Sequence, residues 1–124
     1  MGAMLRVVLV DDEEPVRALL GITLGMSRDF RVVGEATNGR EAINMVDKEH
    51  PDAVVLDLLM PEMNGMDAIP ELKRCSPETK IVVFSALGED QMADEAMGRG
   101  ADAYIEKTRV MSLLPDTIHR LCDC

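Results

Sequence analysis

The chain has 124 residues, 47% hydrophobic and 29% charged, which suits one folded domain and excludes a disordered or fibrous one. Its 23 acidic against 13 basic residues leave a net charge of -10, which repels a nucleic-acid backbone and an anionic membrane surface alike, and one Tyr, two Phe and no Trp offer no platform for stacking bases. No apolar run approaches the roughly 20 residues of a membrane span and the N-terminus lacks a signal-peptide pattern, so a soluble, cytoplasmic protein without direct nucleic-acid or membrane binding is expected, with Cys75, Cys122 and Cys124 reduced.

Met1-Gly2-Ala3 reads as a cloning remnant ahead of a native Met4, and 4–124 as one domain. Leu5 to Val10 predicts a first strand, nearly continuous in its apolar character, as in a parallel sheet covered on both faces. A helix follows, with Pro15 in its first turn and Val16, Leu19, Leu20 and Leu24 on its inner face. Phe30 to Val33 is the second strand. Asn38 and Glu41 then have the spacing of a capping box, opening a helix that buries Ala42, Met45 and Val46 and ends near His50-Pro51. Ala53 to Leu56 is the third strand. The third helix starts near Asn64 with Met66, Ile69 and Leu72 inward, and Pro70 predicts that it is short or kinked. Lys80 to Phe84 is the fourth strand, followed by a helix from Asp90 to Met97 that stops at Gly98 and Gly100, with Met92 and Met97 expected in the core. Ala103 to Ile105 is the fifth strand. A last helix carries Leu114, Ile118 and Leu121, with Pro115 tolerated only early in it. Five alternations of strand and helix with right-handed crossovers predict a doubly wound α/β fold, a parallel sheet with helices on both faces.

In such a sheet the ligand crevice lies outside the carboxyl ends of the strands. There the first run ends in Asp11-Asp12-Glu13-Glu14, the third in Asp57, the fourth in Ser85 and the fifth in Glu106-Lys107. Two carboxylates about 4 Å apart repel by roughly 4 kcal/mol at an effective dielectric near 20, so they share a proton, spread apart or hold a cation. Acidic oxygens with room for water and phosphate suit Mg²⁺. Asp57 then reads as a nucleophile for phosphorus, Ser85 as a hydroxyl donor and Lys107 as a point charge for phosphoryl oxygens. Taken singly, each has a plainer reading: Asp12 as a helix cap, Ser85 as a turn residue, Lys107 as a solvated charge.

The pair Asp11-Asp12, the segment Asp57-Leu58-Leu59-Met60-Pro61-Glu62-Met63-Asn64-Gly65, Ser85-Ala86, and Tyr104 with Lys107 together resemble the receiver domain of bacterial two-component response regulators. The likeness is to chemotaxis-type receivers and to those of nitrate-regulator-type DNA-binding regulators. It implies a flavodoxin-like fold with strand order 2-1-3-4-5. It also implies that Asp57 accepts a phosphoryl group from a sensor histidine kinase. Asp12, Asp57 and the backbone carbonyl of Leu59 would be ligands of Mg²⁺, with Asp11 acting through metal-bound water. Ser85 and Lys107 would hold phosphoryl oxygens, and Tyr104 would turn inward as Ser85 is drawn toward the phosphate. Activation implies a changed signalling surface and, as one outlet, a homodimer. Thr108 stands where many receivers have proline, which leaves the following loop open.

Enzymatic turnover of other substrates is not expected, only self-directed phosphoryl transfer and its hydrolysis. A small Mg²⁺-dependent phosphatase of the haloacid dehalogenase class wants an acid where Leu59 stands, and a flavin module would have its phosphate repelled by Asp11 to Glu14. A receiver-like interaction module that works without phosphorylation is the remaining alternative.

Overall fold

A computed structural model of the chain describes residues 4–58, 60, 63–85 and 90–122. Within them five strands and five helices alternate: β1 (Leu5–Val10), α1 (Glu14–Gly25), β2 (Phe30–Ala36), α2 (Gly39–Glu49), β3 (Ala53–Asp57), α3 (Gly65–Cys75), β4 (Lys80–Ser85), α4 (Asp90–Arg99), β5 (Ala103–Glu106) and α5 (Val110–Cys122). The strands pair in parallel in the order β2-β1-β3-β4-β5, the doubly wound arrangement expected from the sequence. Among the described residues no helix is long and apolar enough to cross a membrane.

Alternate strand residues feed two cores. Val8, Val10, Val54, Leu56, Ile81 and Val83 face α2, α3 and α4, where Ala42, Val46, Ile69, Leu72 and Ala96 close the layer. Val7, Leu9, Val55, Val82, Phe84 and Ile105 face α1 and α5 through Leu20, Leu24, Leu114 and Ile118. Every residue of β3 is buried, as befits a central strand covered on both faces. This sandwich fixes the carboxyl ends of β1, β3, β4 and β5 at one edge.

Several expectations are corrected. β2 runs on to Ala36, because a bulge at Val33 lets Val8 pair with Gly34 after Val7 has paired with Val32. Leu19 is 53% exposed, since α1 meets the sheet along the narrow stripe of Leu20 and Leu24. Pro70 neither shortens nor ends α3, which continues to Cys75. The carbonyl that loses its intrahelical donor to Pro70 belongs to Met66, and Arg99 at the end of α4 donates to it at 3.3 Å. Helix α4 passes Gly98 and stops at Gly100, whose φ of 123° ends the helical path. Met92 packs against the core as expected, whereas Met97 is 45% exposed. Pro115 is the sixth residue of α5, deeper than expected, and Thr108 lies in a 3₁₀ turn, Lys107–Arg109, that leads into the helix.

Candidate functional site

The strand edge gathers the residues singled out from the sequence. Asp11 follows β1 directly, is fully buried, and its N–H donates to the Ala36 carbonyl at 3.1 Å. Arg17, one turn into α1, donates to the Asp11 carbonyl at 2.6 Å and pairs with Glu35 at 2.8 Å. Asp12 is exposed beside it. The cap of α1 is Glu13, so Asp12 is not the helix cap. Asp57, the last residue of β3, is 4% exposed. One carboxylate oxygen each from Asp11, Asp12 and Asp57 lies within 4.8 Å of the others.

Ser85 is fully buried at the end of β4, within the strand rather than in a turn, and opposite Glu106 in β5. Lys107 follows at once. Its ammonium lies 3.7 Å from Asp11 Oδ2 and 3.3 Å from Glu13 Oε1, and 5.8 Å from the centre of the Phe84 ring. Tyr104 pairs with Val83, is half-buried, and packs against the core on the α2–α4 side. Leu59, Ala86 and Leu87 lie outside the described residues.

The pocket holds more negative charge than its own groups compensate. Asp11 Oδ1 accepts the Glu13 N–H at 2.7 Å, but Asp11 Oδ2 is buried without a hydrogen-bond partner among the described residues, and Lys107 is too far away to supply one. Burial pushes the Asp11 carboxyl above its ordinary value, and the charge of Asp12 adds to this. The Glu13 amide, Lys107 and the adjacent Asp57 carboxyl oppose the rise without cancelling it. Partial burial works against the charge on Lys107, but Asp11, Asp57 and Glu13 together outweigh it and hold the ammonium above its usual range. All-oxygen, close together and including one buried oxygen without a hydrogen-bond partner among the described residues, these donors fit a small hard cation with water in its remaining positions.

Two tight backbone approaches fix Met63 and Gly65 at the start of α3. Gly65 donates its N–H to the Leu58 carbonyl at 3.0 Å, and a Cβ there would sit 2.2 Å from the Asp57 carbonyl oxygen. Asn64 caps α3 by accepting the Asp67 N–H at 3.0 Å, and Gly39 at the start of α2 donates to the Met63 carbonyl. Sequence reading marked Gly65 as part of a motif and Glu13 only as one acid in a run. The strand-end position was a signal for Glu13, but its contact with Lys107 spans 94 residues and is visible only in three dimensions.

A family model described as the response regulator receiver domain matches residues 7–119. The chemotaxis protein CheY of Thermotoga maritima is 40% identical over 116 residues, which cover 94% of this chain and 96% of that protein. Response regulator protein VraR of Staphylococcus epidermidis is 35% identical over 94% of this chain, which spans only 56% of that longer relative. Among solved structures, the response regulator domain of Thermotoga maritima CheB has a TM-score of 0.90 at 26% identity and 98% coverage of both chains. The signal receiver domain of a putative NarL from Mycobacterium tuberculosis has a TM-score of 0.85 at 27% identity, covering 94% of this chain and 98% of that one.

Proposed function

Because the chain belongs to the response regulator receiver domain family, we propose that it takes a phosphoryl group from a sensor histidine kinase onto Asp57 and answers by changing its signalling surface. The observation that carries this reading is the Asp11 carboxylate, buried with an unbonded oxygen beside Asp12 and Asp57 and facing the Lys107 ammonium. A divalent cation would offset that excess charge and so let a phosphoryl anion enter the pocket.

Asp57 is a nucleophile on a rigid support, the end of a central strand with α3 closely packed behind it. Its carboxylate oxygen forms a bond to phosphorus while the phosphorus–nitrogen bond of the donor phosphohistidine breaks, and the electron pair leaves on the imidazole. Alignment and neutralisation of charge on the phosphoryl oxygens carry most of such a transfer. Lys107 supplies a positive charge to one of those oxygens and Ser85 a hydroxyl donor to another. Asp12, Asp57 and the Leu59 carbonyl would hold Mg²⁺, with Asp11 acting through a water on it, and the ion when bound adds positive charge toward the same oxygens. The acyl phosphate carries close to two negative charges where the carboxylate carried one, and Ser85 and Tyr104, on neighbouring strands, are the side chains that pass the change outward.

The test is incubation with Mg²⁺ and acetyl phosphate, read by intact mass. The wild-type chain is expected to gain one phosphoryl group and Asp57→Asn none. Undiminished modification of Asp57→Asn would contradict the assignment.

A further inference from the structure

Among the described residues Lys107 faces three acids, and they are not equivalent. Asp11 and Asp57 are 0% and 4% exposed and fixed at the ends of central strands, whereas Glu13 is the one whose carboxylate stands in solvent. Glu13 is the cap residue of α1, yet its side chain makes no capping hydrogen bond, and its own N–H is taken by Asp11. Among the described residues that side chain is tied only to Lys107, at 3.3 Å.

An incoming phosphoryl group needs the same ammonium and brings like charge toward Glu13. The buried acids cannot withdraw, because they are clamped by strand pairing and helix packing. An exposed side chain with a single partner can. We propose that Glu13 is a positioning residue acting through Lys107: it holds the ammonium over the pocket in the resting protein and releases it to the phosphoryl anion, so that Glu13 and the anion compete for one cation. The inference rests on the reading of Asp57 as phosphoryl acceptor and adds to it a regulator of anion affinity.

The competition is read by titrating beryllofluoride, an anionic phosphoryl mimic, into the Mg²⁺-loaded chain and following the Tyr104 amide resonance. Glu13→Gln is expected to lower the half-saturating concentration roughly two- to fivefold, the range of an exposed ion pair, with the gain shrinking at high salt. A tighter complex is not what structural damage produces. Glu14→Gln removes the same charge one residue along, at an exposed position, and is expected to stay close to wild type. Unchanged or weaker binding in Glu13→Gln, or an equal gain in Glu14→Gln, would overturn the proposal while leaving the acceptor reading intact. No binding by the wild-type chain, or undiminished binding by Asp57→Asn, would overturn the acceptor reading and this inference with it.

Discussion

Gly65→Ala is expected to destabilise the protein by about 3 kcal/mol, with a matching fall in the urea midpoint and a loss of phosphorylation at Asp57. The new Cβ would lie 2.2 Å from the Asp57 carbonyl oxygen and 2.9 Å from the Leu58 Cα, both backbone atoms with no flexible end to move aside. Relief requires α3 to retreat from β3, which breaks the Gly65 to Leu58 hydrogen bond and shifts the strand end that carries Asp57. Gly21→Ala is the control. It lies in the middle of α1 with its nearest foreign atom 4.0 Å away, so the gain in helix propensity is expected to stabilise by roughly 0.5 to 1 kcal/mol. Equal stabilities for Gly65→Ala and wild type would show that the close approach is not a constraint.

Asp11→Asn is expected to be more stable than the wild-type chain at neutral pH in metal-free buffer, although it removes a group from the proposed site. The carboxyl is fully buried with an unbonded oxygen, and its pKa in the folded protein is raised above the ordinary 3.8 by burial first of all. A raised folded-state value means that the native protein holds this proton more tightly than the unfolded chain does. The resulting contribution is complete below the ordinary carboxylate value and is lost as pH rises through the raised one. The wild-type chain therefore loses this contribution as pH rises through that value, whereas Asp11→Asn, which has no such proton to lose, does not. The amide keeps an oxygen for the Glu13 N–H, so the backbone turn survives. Urea unfolding of both proteins from pH 4 upward is the measurement. A variant less stable than wild type in metal-free buffer at neutral pH would show that the buried charge is compensated already.

Most of this architecture was legible because its strands are short, nearly continuous apolar runs, and β3 is buried along its whole length. β2 outruns its apolar stretch of Phe30 to Val33 because Gly34 and Glu35 continue the pairing with β1 without being apolar themselves. They belong to an edge strand, where Glu35 stands exposed and pairs with Arg17. Leu19 was misjudged because α1 carries two apolar stripes and periodicity does not say which one meets the sheet. That α3 continues past Pro70 is not readable from spacing either, because the donor that replaces the missing N–H comes from Arg99, on another helix. At the site, residue types at strand ends were sufficient to bring Asp11, Asp12, Asp57, Ser85 and Lys107 to one edge. The steric reason for Gly65 and the partner of Glu13 depend on backbone approach and on contacts across the whole chain, which spacing does not encode.

The proposed function requires the acidic pocket at the strand edge to take up a divalent cation. Titration of Mg²⁺ into the wild-type chain, followed by backbone amide resonances, tests it most directly. Saturable shifts are expected at Asp11, Asp12, Asp57 and Leu58, weakened in Asp57→Asn. Shifts absent from these residues, or centred instead on the acidic surface cavity lined by Glu35, Glu41 and Lys48, would contradict it.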